Sequence, residues 1–532
     1  MTQEQTSVSL AGEDAGLLKS SAVVGSMTML SRVLGLIRDI VIAVLVGATA
    51  NADAFFVAFK VPNFMRRLFA EGAFSQAFVP VLAEYREQGS AAAVQELLNR
   101  VAGVLGGSLL LLTGLMVLGA PLLTALFAPG FLGDPRKYQL TVEMMRITFP
   151  YLFLISMTGF CGAVLNSYGR FAVPAFTPVW LNLSLIGAAT LGAPLFSEPV
   201  FALAWGVMLA GVVQLLFQLP FMYRLKVAPR PVWDTRHDGV RQILRLMVPA
   251  LFGVSVSQIN LLLDTVLASF LPTGSVSWLY YSDRLTELPL GVFGIAIATV
   301  ILPSLSRQRA ATSAEKFAAT LDWAVRAVLL IGVPASVSLM ILAEPILVTL
   351  FQYGALSPQD VSMAALSLRA YSLGLLAFML VKVLAPGFYA RQDTRTPVAI
   401  GIKTMIANMI MNLVFVVPLY MLWNIGHVGL ALATSLAAYL NAGLLFRGLH
   451  REQVFRFQSG WGVLLWRLLL ATLAMSATLY LLLPESAQWL EWGWQVRSLR
   501  LALVVLAGLS VYLAGHLLLG ARMRDFYSPK QS

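Results

Sequence analysis

Twelve charged residues stand inside runs that are otherwise apolar: the cations Arg32, Arg38, Lys60, Arg66, Arg67, Arg284 and Lys382, and the anions Asp39, Asp53, Glu71, Asp283 and Glu287. A charge at mid-bilayer costs about 3 kcal/mol or more, so such residues face a bundle interior or a wet cavity and mark a substrate path. Pairing alone would need equal numbers of each sign. The excess here is of arginine, whose planar fork takes two phosphate or carboxylate oxygens at once and stays protonated at any relevant pH. The pattern points to an anionic substrate and leaves its identity open.

Helices must position these groups. In the stretch 53–85, Asp53, Lys60, Arg67, Glu71 and Phe74 step at helical spacing and form one stripe on a single long helix. Pro62 and Pro80 invite kinks in it, which a spanning helix tolerates when neighbours meet the freed carbonyls. Earlier, Thr28, Arg32, Gly35 and Asp39 share a face with Arg38 beside it. Further on, Asp283, Arg284 and Glu287 cluster, and Arg284 and Glu287 are spaced to pair within their helix. Lys382 is a lone cation, either functional or snorkelling to an interface. Asp264 with Asn260 could hold a cation through oxygen ligands, with Asn408 or Asn412, or could serve as a polar contact between packed helices.

The 532 residues are 58% hydrophobic and 12% charged, about half the charged share of a soluble domain, so the chain is a polytopic all-α membrane protein. Fourteen apolar windows of spanning length are expected, at 21–47, 53–84, 100–128, 139–167, 173–194, 200–223, 246–271, 275–305, 322–352, 361–390, 396–420, 427–446, 461–484 and 498–520. The net charge of +11 gathers in short loops such as Arg224–Arg245, Arg307, Arg309, Arg391, Arg395, Arg522 and Arg524. The opposite loops carry little beyond Arg136, Lys137 and Arg497, so both termini should be cytoplasmic, and nucleic-acid binding is not indicated. The first residues carry Glu4, Glu13 and Asp14 and read as a cytoplasmic tail, not a signal peptide. One cysteine, Cys161, allows no internal disulfide, and the four histidines lack metal spacing. No P-loop, nucleophile elbow or metal-ligand motif is present, so neither an enzyme nor a cofactor is expected.

The two halves match. Pro80 and Pro303, Arg146 and Arg369, and Pro174 and Pro397 are each 223 residues apart; Pro121 and Pro345, Phe127 and Phe351, and Gly130 and Gly354 are 224 apart. The expected organisation is a tail at 1–20, a six-helix lobe at 21–225, a cytoplasmic linker at 226–245, a second lobe at 246–450, a helix pair at 451–525 and a tail at 526–532. An even helix count makes the repeats parallel, as in transporters that bind substrate between halves and rock around it. The final pair lies outside the repeat and either lines a groove for a lipid tail or packs peripherally.

The segments SRVLGLIRD (31–39), DAFFVAFKVPNFMRRLFAEGAFSQAFVPVLAEY (53–85), SVSWLYYSDRLTELPLGVFG (275–294) and LVKVLAPGFYARQDTRTPV (380–398) resemble the MurJ (MviN) family. These are bacterial lipid II flippases of the MOP transporter superfamily. The resemblance covers essentially the whole chain. It implies an alternating-access flippase with a cationic cavity, and a tail groove at the last two helices. It also implies functional roles for Arg32, Arg38, Arg66, Arg67, Arg284 and Lys382, with Asp39, Asp53, Glu71, Asp283 and Glu287 as acidic neighbours. Some members bind sodium between the seventh, eleventh and twelfth helices, and Asp264 fits the seventh-helix position; with no ATP-binding motif in the chain, the expected energy source is a gradient such as sodium, the membrane potential or the substrate itself. The rival readings are an exporter of another lipid-linked glycan or a drug/cation antiporter of that superfamily, and an intramembrane glycan-processing enzyme.

Overall fold

The apolar windows fold as helices because a chain in hydrocarbon must satisfy its backbone groups within each segment. The computed structural model describes the backbone at residues 3–291, 301, 304, 305 and 313–520, and the side chains there except at 3–22, 69–71, 252–254, 256 and 257. Pro303, Arg307, Arg309, Arg522, Arg524, the 526–532 tail, the end of the eighth window and the side chains of Glu4, Glu13, Asp14 and Glu71 lie outside the described residues. No strand occurs among the described residues.

By contacts the chain forms two units, Met1–Phe270 and Leu271–Ser532. The first holds α1 (Gln3–Val46), α2 (Ala50–Arg66), α3 (Ser75–Gln88), α4 (Ala91–Leu118), α5 (Ala120–Phe127), α6 (Pro135–Thr148), α7 (Pro150–Ser167), α8 (Ala172–Gly187), α9 (Val200–Arg224) and α10 (Asp238–Ser269). The second holds α11 (Ser275–Pro289), α12 (Ala314–Ile341), α13 (Ala343–Phe351), α14 (Pro358–Tyr389), α15 (Arg395–Trp423), α16 (Gly426–Arg451), α17 (Trp461–Leu482), α18 (Ser486–Glu491) and α19 (Trp494–Leu518). Ten described helical stretches are long and apolar enough to cross a membrane. The other four expected windows fall on α1, α2–α3, α10 and α11, which are interrupted, short or only partly described.

The internal repeat is visible in the element boundaries. α4 starts at Ala91 and α12 at Ala314, α6 at Pro135 and α14 at Pro358, and α8 at Ala172 and α15 at Arg395, each pair 223 residues apart. The seventh helix differs from expectation: α10 begins at Asp238 rather than near residue 246, and it packs within the first unit against α3 and the segment before it.

At two helix-interior prolines the freed carbonyl is met by a side chain from another helix. Pro62 cannot donate to the Ala58 carbonyl four residues back, and Thr148 Oγ1, at the end of α6, donates to that oxygen at 3.0 Å. Pro334 likewise frees the Leu330 carbonyl in α12, and the Tyr512 hydroxyl of α19 donates to it at 2.6 Å. This bond and the apolar cluster Leu342, Leu468, Met475, Leu479 and Val504 hold the C-terminal pair α17 and α19 against α12 within the second unit.

A second device grips the segment leaving the sixth helix of each half. Residues 226–237 run without regular structure along α4, where Asn99 accepts from the Arg230 amide at 2.6 Å and the Val232 amide at 2.9 Å. Arg100 forms an ion pair with Asp234. The backbone passes so close that a Cβ on Gly103 would lie 2.1 Å from the Val232 oxygen, which only glycine permits. In the second half the matching position, 223 residues on, is Asp322, which accepts from Trp461 Nε1 at 2.7 Å and pairs with Arg326 at 2.7 Å, while Arg326 donates to the Gln458 and Ser459 carbonyls.

These contacts fix two expected outcomes. Tyr512→Phe leaves the Leu330 carbonyl without its donor and lowers thermal stability in detergent by about 1 kcal/mol, with a larger share of the loss in exchange protection of α19 than of α4. The Asp234 carboxyl is held below its ordinary value of 3.8, first by the Arg236 amide and further by the Arg100 guanidinium. A lowered carboxylate contributes stability above its unfolded value and loses it as pH falls through the folded one. Exchange protection of the Val232 amide, relative to its intrinsic rate, therefore holds from neutral pH down to about 5 and falls only in stronger acid. Asp234→Asn lowers it already at neutral pH.

Candidate functional site

Arg38 and Asp39, expected as a cavity charge and its neighbour, are both buried in the first unit. Arg38 donates to Asp39 Oδ1 through Nη2 at 2.7 Å and Nε at 2.9 Å, and through Nη1 to Asn182 Oδ1 at 3.0 Å. Asn182, on α8, closes the network by donating to the Ser31 carbonyl at 2.8 Å. Gly35 faces the Asn182 amide, which a Cβ there would meet at an ordinary contact distance of 3.8 Å. The result is a polar clasp between α1 and α8, with every charge met by its opposite or by an amide. Asn182 was not legible as a site residue; its one signal is a lone amide in the apolar run LNLSLIG. Arg32, nearly two turns earlier on α1, is half-buried and makes no ion pair among the described residues.

The long charged helix is not one element. α2 ends at Arg66, a π-helical stretch runs Arg67–Phe74, and α3 resumes at Ser75. The wider π turn rotates the helix beyond it, so the single stripe drawn from Asp53 to Phe74 with a 3.6-residue period does not hold across it. Asp53 is buried and pairs with Lys137 Nζ of α6 at 2.8 Å. Lys137 also stands 4.2 Å from the Phe131 ring centre. Both facts correct the expectation that Lys137 is a loop charge: it sits in the first turn of α6 and neutralises Asp53. Lys60 and Arg66 are half-buried and Arg67 is exposed, with Arg66 Nε donating to Asn63 at 3.3 Å. The π stretch packs closely on α10.

In the second unit Arg284 pairs with Glu287 at 2.7 Å, as its spacing predicts, and stands 5.0 Å from the Tyr280 ring centre. It remains about one-third exposed, Asp283 is exposed, and Lys382 is exposed on α14 with no ion pair among the described residues. Arg497, expected in a loop, is instead buried in the first turn of α19. It donates to four backbone carbonyls, those of Trp489, Leu490, Val348 and Gln352. These lie at the C-terminal ends of α18 and α13, where helix dipoles favour a cation. No sequence signal separates this arginine from a solvated one.

Asp264 is half-buried on α10, one turn from Asn260. Among the described residues no group of three or more His, Cys, Asp or Glu side chains could hold a metal ion. Asp264 and Asn260 carry oxygen donors of the kind a hard cation takes.

A family model described as "Lipid II flippase MurJ" matches residues 42–499. The chain belongs to that family. A relative from Vibrio cholerae serotype O1 named "Probable lipid II flippase MurJ" is 51% identical over 96% of this chain and 97% of its own length. One from Burkholderia cenocepacia, named "Lipid II flippase MurJ", is 43% identical over 84% of this chain and 86% of its own. A solved "Lipid II flippase MurJ, inward closed conformation" superposes with a TM-score of 0.78 at 26% identity, covering 93% of this chain and 98% of that one. An inward-facing multidrug MATE transporter of the MOP superfamily shares the fold alone, with a TM-score of 0.65 at 16% identity.

Within this MurJ family chain the Arg38 clasp is testable by stability. Arg38→Ala strands the Asp39 carboxylate in a buried site and costs about 3–5 kcal/mol, read as a lower unfolding midpoint. The pair variant Arg38→Met with Asp39→Asn recovers most of that loss, whereas equal losses in both variants would refute the pairing.

Proposed function

We propose that this chain is a transporter, not an enzyme, and moves lipid II, the undecaprenyl-pyrophosphate-linked peptidoglycan precursor, from the cytoplasmic to the outer leaflet of a bacterial inner membrane. The single observation that carries the reading is the end-to-end match to relatives named for that activity, 51% identical across 96% of the chain. The charge arrangement supports it. Arg32 and Lys382 make no ion pair among the described residues, and Arg284 keeps about a third of its surface exposed. Cations of this kind can take the pyrophosphate, and arginine does so through two parallel hydrogen bonds. Arg38, Asp39, Asp53 and Glu287 act by holding charges and helices in place. Lys60, Arg66, Arg67, Glu71 and Asp283 line the path of the headgroup while the tail stays in lipid along α17 and α19. Both termini lie in the cytoplasm, as the arginine-rich loops favour. The membrane potential, worth about 2.3 kcal/mol per charge per 100 mV, or a sodium gradient drives the cycle.

Depletion of the protein is expected to collapse the pool of lipid II accessible at the outer leaflet; unchanged accessibility sinks the reading. Arg284→Ala is expected to lower flipping at least tenfold with normal membrane insertion, and wild-type flipping in that variant removes Arg284 from the path.

A further inference from the structure

We infer that the apolar cavity between α4, α7 and α10 of the first unit is a binding site for a small aliphatic amphiphile, a chain of medium length carrying one hydroxyl or carbonyl oxygen. The cavity holds about 200 Å³ and its wall is almost wholly hydrocarbon, including Phe74, Leu109, Ile243 and Met247. An apolar cavity of about 150 Å³ is already large enough to bind benzene. Into this one projects Ser156 of α7, only 1% exposed, whose hydroxyl has no hydrogen-bond partner among the described residues.

That combination selects a ligand class. A buried hydroxyl with nothing to bond is expensive to leave unmet. Water is a poor occupant, because it needs two to four polar partners, and the wall adds only the Ser108 hydroxyl to that of Ser156. An apolar chain with one oxygen fills the hydrocarbon wall and meets Ser156 together. Entry is open, because Ser108 and Leu244 on the rim are both exposed. Phe74 closes the π turn that carries the charged helix into α3, so an occupant touches the point where that helix changes register. The chain can be a free alcohol or the oxygen-bearing end of a membrane lipid; the chemistry is shared.

The test uses the full chain in nanodiscs of phosphatidylethanolamine and phosphatidylglycerol. Three photoreactive diazirine probes are compared: an octanol, an octane of the same length, and a phospholipid with the diazirine near a hydroxylated acyl end. Labelled residues are mapped by mass spectrometry. The octanol probe is expected to label α4 and α10 around Leu109 and Ile243. Ser156→Ala is expected to weaken that labelling about tenfold, the worth of one good hydrogen bond, while labelling by the octane probe is unchanged. Leu109→Trp fills the cavity and removes both, and because Ser156→Ala swaps only a hydroxyl for hydrogen it keeps the test valid if the tryptophan variant misfolds. Displacement of the phospholipid probe by octanol assigns the site to lipid ends as well; no displacement restricts it to free amphiphiles. Absence of octanol labelling in the cavity, or labelling indifferent to Ser156→Ala, overturns the proposal.

Discussion

A backbone carbonyl in hydrocarbon has no water to turn to, and much of this architecture comes from finding it a donor. Prolines at 62 and 334 each leave one carbonyl open, at Ala58 and Leu330, and each is met by a hydroxyl from a helix distant in sequence. At these two sites the proline and its donor come as a pair, and the donor ties two helices together. At Pro334 that donor belongs to α19, outside the repeated unit, so one hydrogen bond ties an added element to the repeated fold. Arg497 answers the same demand in reverse, a single cation collecting four carbonyls at two helix ends.

Once the backbone is satisfied, the intramembrane charges fall into two groups. Arg38 with Asp39, and Lys137 with Asp53, are buried and neutralised within the first unit. Such pairs gain little net stability over an apolar substitute but make any single loss severe, so they hold helices in one register. Arg32 and Lys382 make no ion pair among the described residues, and Arg284 is only partly covered by Glu287. A polyanionic headgroup needs charges of this second kind, and the first kind fixes α1 against α8 and α2 against α6 within the first unit.

The duplicated halves keep positions while changing the chemistry at them. Where Lys137 of α6 meets Asp53 of α2, the matching Asp360 of α14 accepts from Trp278 of α11 at 2.9 Å. Asn99 and Asp322 occupy the same place in their halves, and each grips the chain as it leaves the sixth helix. Both exits also turn through a left-handed residue, Lys226 in one half and Gln453 in the other. Matching positions in the two halves thus hold the same kind of helix junction with different side chains.

The sequence by itself determined the helical class, the two-fold repeat near 223 residues and the short-range pair Arg284–Glu287, because each depends on composition, on recurring positions or on spacing along one helix. The residue types that make the chain a candidate carrier of a pyrophosphate-linked lipid were likewise readable, down to the segments 31–39 and 53–85. Tertiary structure alone decided which charges are already matched. Lys137 and Arg497 looked like loop residues because both come just after turn sequences, and only the packing of α6 on α2 and of α19 on α13 shows them buried. The long charged stripe failed for a related reason: a π turn at Arg67–Phe74 breaks the 3.6-residue period, and its close packing on α10 is a long-range contact that no local pattern encodes.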